Sequence, residues 1–84
     1  MNRVYLTKEG YEKLRSELEE LQTRERPKVV QALKRAREFG DLSENAEYAA
    51  AKERQMHLES RIMQIHEKLT RSEIIDESQI PKDK

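Results

Sequence analysis

The stretch FGDLSENAEY, residues 39–48, lies between two segments of strong helical character and gathers acidic side chains about its centre. Glu38, Asp41, Glu44 and Glu47 stand in and beside it, and no Lys or Arg interrupts them. Gly40 is placed as a C′ residue, able to take the left-handed backbone that closes a helix. A second helix is expected from about Ser43. With so short a connection the two helices must lie side by side and antiparallel. This predicts an all-α fold: a long antiparallel two-helix coiled-coil hairpin with an acidic tip loop.

Working outward, the apolar residues keep coiled-coil spacing. Upstream, Leu14, Leu18 and Leu21 recur at intervals of 4 and 3, the stripe weakens at Glu25, and it resumes through Val29, Ala32, Ala36 and Phe39. Downstream the seam reads Tyr48, Ala51, Gln55, Leu58, Ile62, Ile65 and Leu69. Antiparallel pairing sets Leu14 against Leu69, Leu18 against Ile65, Leu21 against Ile62 and Ala36 against Tyr48, so bulk gathers at the base and alanines thin the tip. Pro27 lacks an amide hydrogen and crowds the preceding turn, which predicts a bend or local loosening there. At the start, Thr7 suits an N-cap, with Leu6 and Tyr11 spaced as a hydrophobic staple. Gly10, unfavourable inside a first turn, calls for a packing explanation. The expected layout is a hairpin over 1–76, with helices at about 7–39 and 43–70, a tip at 40–43, and a short extended segment at 72–76 beside Val4 to Leu6. Residues 77–84 read as a linker or tail. Some 30 residues per helix make a rod of roughly 45 Å.

The 84 residues admit one domain without a large core. Charged residues are 40% and aromatics 5%, a balance that suits long exposed helices. There is no Cys, hence no disulfide or thiolate metal site. No apolar run approaches the roughly 20 residues of a membrane span, and MNRVYLTKEG lacks the apolar stretch of a signal peptide. The expectation is a cytoplasmic protein without membrane attachment. The 17 basic and 17 acidic residues cancel, but residues 24–37 hold six basic side chains and one acidic, and 38–47 hold four acidic and none basic.

Two readings of the tip stand together. In one, Asp41 with Glu44, or Ser43 alone, caps the second helix, and the helix dipole favours the acids. In the other, Asp41 and Glu44 are an incomplete Mg²⁺ site. Mg²⁺ wants six oxygens and commonly takes one or two protein carboxylates, so two could serve only at a site already holding metal and phosphodiester. The basic run (Arg24, Arg26, Lys28, Lys34, Arg35 and Arg37, with Lys52 and Arg54 facing) is either a solvated face paired with nearby Glu or a stripe that touches RNA phosphates. His57 and His66, nine residues apart, lie on opposite sides of a helix and cannot share a metal. Met56 and Met63 are expected to pack. No nucleophile stands beside a base, which argues against self-contained catalysis.

GDLSENAEY, with the upstream LTKEGYEKLRSELEEL and the RP at 26 and 27, closely resembles the N-terminal coiled coil of the bacterial Gre transcript-cleavage factors, of the GreA type. The match runs from about Val4 to Asp76. The resemblance implies a non-enzymatic elongation factor whose arm enters the secondary channel of bacterial RNA polymerase. There Asp41 and Glu44 would help the polymerase hold its own Mg²⁺, so that a backtracked RNA is cut near its 3′ end. It implies no intrinsic cofactor, a tip shaped by Gly40, Leu42, Ser43, Asn45 and Tyr48, and an RNA-contacting basic patch at Arg37 and Lys52. Gre factors continue into a globular C-terminal domain that anchors them, and this chain stops where that domain would begin. The expectation is an excised N-terminal domain that binds polymerase weakly, with possible self-association through the coiled coil. A channel regulator without cleavage activity and a purely structural hairpin are the alternatives.

Overall fold

The capping residue at 7 and the surplus residue near Pro27 decide the shape of the first helix. A computed structural model describes residues 3–41 and 44–75 of the chain. The readings placed on Leu42, Ser43 and residues 76–84 lie outside the described residues. The order is β1 (Val4–Thr7), α1 (Lys8–Glu20), a π-helical turn (Leu21–Glu25), α2 (Arg26–Arg37), α3 (Ala46–Thr70) and β2 (Ser72–Ile75). The two long helical arms form the antiparallel coiled-coil hairpin, within extents of 59 × 24 × 22 Å.

Thr7 caps α1 as expected: its backbone is extended and its hydroxyl accepts the Gly10 N–H at 3.0 Å. That cap also accounts for Gly10. A Cβ there would lie 3.3 Å from the Thr7 hydroxyl and 3.8 Å from a Leu6 methyl, so the cap takes the room a side chain would need.

The disturbance at Pro27 takes the form of a widened turn. Leu14 to Leu21 and Val29 to Ala36 span seven residues each, but Leu21 to Val29 spans eight. The partner keeps strict sevens through Tyr48, Gln55, Ile62 and Leu69. An α-helix given one extra residue would rotate its stripe off the seam. A π turn, bonded five residues back, absorbs it, and the Arg26 N–H accordingly reaches the Leu21 carbonyl. Pro27, which disfavours an α-helical bond at this point, follows directly.

The seam buries Val29, Leu33, Ala36, Ala51, Leu58, Ile62 and Ile65, with Leu18, Leu21, Ala32 and Tyr48 partly buried against the central cluster. Each fully buried aliphatic contributes on the order of 1.5–3 kcal/mol. Three expectations are corrected here. Leu33, not Ala32, is the buried residue, because the stripe steps 4 and then 3 from Val29 to Ala36. Phe39 is 72% exposed rather than in the seam, because α2 has ended before it. Met56 and Met63 are 69% and 70% exposed and do not pack.

Two bidentate ion pairs clip the arms. Arg26 donates to both Glu59 oxygens at 2.9 and 2.8 Å, and Arg61 to both Glu17 oxygens at 3.0 and 3.1 Å. Glu59 follows buried Leu58 and Arg61 precedes buried Ile62, so the clips close opposite flanks of the seam. At the base, the expected extended segment forms β2, which pairs in parallel with β1 (Val4 with Ser72 through Thr7 with Ile75). Arg3 meets Glu73 at 2.6 Å across this pair.

Candidate functional site

Helix α2 closes by tightening. The N–H groups of Glu38 and Phe39 donate to the carbonyls of Arg35 and Ala36, each at 3.1 Å, three residues back. Gly40 follows with φ +118, one position later than the C′ site expected for it. A Cβ on Gly40 would meet nothing within 4 Å, so the requirement for glycine is conformational.

Helix α3 starts at Ala46, not at Ser43, and its cap is Asn45. The Asn45 Oδ1 accepts the Tyr48 N–H at 3.1 Å, while its Nδ2 donates to the Ala36 carbonyl at 2.6 Å. The cap of α3 itself is therefore Asn45 rather than Asp41. A carboxylate can only accept, whereas the amide accepts from one helix and donates to the other, tying both arms below the apex. Tyr48, half-buried, packs against the central core cluster beneath that tie.

Asp41 and Glu44 are both exposed. The Glu44 side chain makes no hydrogen bond or ion pair among the described residues. Glu38 and Glu47 are exposed too, and Glu47 lies in the first turn of α3, where the dipole favours it. Among the described residues no three His, Asp or Glu groups are arranged to hold a metal. What the tip offers is carboxylate oxygen on a braced, water-facing apex.

The basic run divides by partner. Arg26 is committed to Glu59, whose hydrogen bond raises the guanidinium pKa further. That same bond from Arg26 holds the Glu59 carboxyl below its ordinary range, with desolvation opposing it. Arg24 and Lys28 stand loosely by Glu20 and Glu25, at 3.8 and 3.7 Å. Arg37 and Lys52 are exposed; Lys52 Nζ approaches Gln55 Oε1 at 3.5 Å, and Arg37 has no carboxylate within ion-pair distance among the described residues. Pro27, Lys28, Gln31, Ala32, Arg35 and Arg54 line a shallow groove of about 580 Å³. Sequence reading missed this groove because its walls come from two helices. His57 lies 3.9 Å from Glu53, and His66 is exposed elsewhere on α3. No helix among the described residues is long and apolar enough to cross a membrane.

A family model described as "Transcription elongation factor, N-terminal" matches residues 4–74. The chain belongs to that family. It is a Gre-type N-terminal domain, similar to proteins named transcription elongation factor GreA. The protein of that name from Alkalilimnicola ehrlichii is 54% identical over 76 residues, covering 90% of this chain and 48% of the relative. The one from Prosthecochloris aestuarii is 49% identical over 83 residues, 99% of this chain and 52% of the relative. The one from Thermotoga neapolitana is 52% identical over 79 residues, 94% and 51%. The Gre-type chain thus spans about half the length of these relatives.

Proposed function

We propose that this domain serves transcription elongation by carrying Asp41 and Glu44 into the secondary channel of bacterial RNA polymerase, where they assist Mg²⁺-dependent cleavage of backtracked RNA. The observation that supports it most is an exposed pair of carboxylates, Asp41 and Glu44, at the far end of a two-helix arm. The names of its relatives supply the process.

Two carboxylates are too few oxygens to retain Mg²⁺ unaided, so the residues present fit a shared ion rather than a resident one. When bound, Mg²⁺ activates water and polarises a phosphodiester. The chain's part is to bring negative oxygens to that ion, and to hold them there on a backbone fixed by the Asn45 tie and the Gly40 reversal. Arg37 and Lys52 lie behind the apex to meet RNA phosphate. The domain itself is no enzyme, and its place of work is the cytoplasm.

Backtracked polymerase complexes mixed with high concentrations of the domain test this. The expected result is faster RNA cleavage with the native sequence and none above background with Asp41→Ala, Glu44→Ala. Because the pair acts as a unit, each single substitution loses most of the effect. Equal rates with native and doubly substituted domain refute the role, and slowed elongation without cleavage assigns the arm to channel blocking instead.

A further inference from the structure

Below the Arg26–Glu59 clip, one flank of the hairpin is left open. On the other flank Glu17, just before Leu18, and Arg61, just before Ile62, close over the seam as a bidentate pair. The open flank has Arg15, just after Leu14, and His66, just after Ile65. A coiled coil sets opposite charges at such flanking positions. Here a guanidinium and an imidazole share one groove of about 500 Å³ instead. Neither side chain makes a hydrogen bond or ion pair among the described residues. Glu19 lines the same groove one turn after Arg15 but forms no ion pair with it, and a cation ahead of an acid is the less favourable order on a helix.

The groove also has an apolar lining. Tyr11, Leu18 and Leu69 belong to it and are only half-buried, because a two-helix rod covers its seam residues from one side. A further helix laid along it would cover them, presenting apolar residues at intervals of three and four. An acidic residue beside that stripe would give Arg15 the charge-assisted partner it lacks. Single-stranded nucleic acid fits less well, since Glu19 would stand against its phosphates. Gln22, at the upper end of the groove, precedes Asp41 by roughly 25 Å along the arm. With the tip at a metal centre, the groove lies back toward the entrance, among the protein walls.

Resting on the reading of the arm as a visitor to the polymerase channel, we propose that this groove docks an amphipathic helix of RNA polymerase near the channel mouth. The apolar face of that helix lies on Tyr11, Leu18 and Leu69, and an acidic side chain of it enters between Arg15 and His66.

The test measures binding apart from cleavage. A fluorescently labelled Asp41→Ala, Glu44→Ala domain is titrated with polymerase and followed by anisotropy. Arg15→Glu in that background should raise Kd by about 10- to 100-fold. Lys13→Glu, the same charge change on the exposed outer face of α1, should leave Kd at the native value, with circular dichroism showing both variants folded. A photo-crosslinker at Gln22 should label a polymerase helix whose apolar residues recur at three and four with Asp or Glu beside them. Exchanging that acid for Arg should restore binding to Arg15→Glu. Equal Kd values for Arg15→Glu and Lys13→Glu overturn the docking, as do crosslinks that reach only RNA or only a second copy of the domain. No binding by the native domain at any concentration overturns both this inference and the reading it rests on. Binding that requires Arg15, combined with no cleavage by the domain with native carboxylates, upholds the groove and removes the catalytic reading.

Discussion

Replacing Asn45 by Ala removes two hydrogen bonds that serve different ends. The first is the N-cap of α3, the Oδ1 acceptor for Tyr48 N–H at 3.1 Å. Loss of such a cap costs about 0.5–2 kcal/mol. The second is the tie from Nδ2 to the Ala36 carbonyl at 2.6 Å, which joins the arms across the turn. That carbonyl keeps its bond from Phe39 N–H, so it is not orphaned and the loss is limited to about 0.5–1.5 kcal/mol. Together these give about 1–3.5 kcal/mol, against a total of about 4–13 kcal/mol for a domain of this size. Thermal unfolding followed by circular dichroism should therefore show a Tm drop of about 4–28 °C. Asn45→Asp separates the two contributions, because a carboxylate keeps the cap and loses the tie; it should recover roughly half the loss. A melting point for Asn45→Ala within about 1 °C of native would refute the reasoning at this magnitude. So would Asn45→Asp melting no higher than Asn45→Ala.

Ile65 is 0% exposed, and Ile65→Ala should cost about 2–5 kcal/mol, read from the urea midpoint; a change below about 1 kcal/mol would show the seam is not packed there. Deleting Thr23 removes the surplus residue between Leu21 and Val29 and should leave a cooperative fold with an uninterrupted α-helix. Deleting Gln31 breaks a regular seven-residue repeat and should abolish cooperative unfolding, and the reverse ranking would contradict the account of the wide turn. Because Arg26 holds the Glu59 pKa below its ordinary value, the stability this pair contributes is fully present above the ordinary glutamate pKa of about 4.3. It is lost as pH falls through the lower folded value. Urea midpoints measured from neutral pH downward should fall less steeply for Arg26→Gln than for the native chain, and identical slopes would remove the pair from the acid response.

The hairpin was legible because heptad spacing on both sides of a short turn leaves two helices little else to do. Thr7 was legible for a similar reason: it is the sole good capping residue directly ahead of the first periodic stretch. The cap of α3 was not, since Asp41, Ser43 and Asn45 all have the chemistry, and the choice fell to the one that also donates to Ala36. Phe39 carried the right spacing for the seam, but spacing does not reveal that α2 tightens and stops at Arg37. Met56 and Met63 repeat at seven, as core residues do, yet sit outside the stripe that Leu58, Ile62 and Ile65 already fill. Nothing in a linear run of basic residues told Arg26, gripped by Glu59 across the hairpin, from Arg35, which has no ion-pair partner among the described residues.

The wide turn at Leu21–Glu25 has a bearing on how such an arm changes length. One rail of the hairpin carries a residue more than heptad phase requires, and the slack is stored midway rather than at the apex. Gain or loss of a single residue within that turn can be taken up there, leaving the alignment above it undisturbed. A tool whose working end must arrive at a fixed depth thus keeps its calibration while its shaft is free to drift.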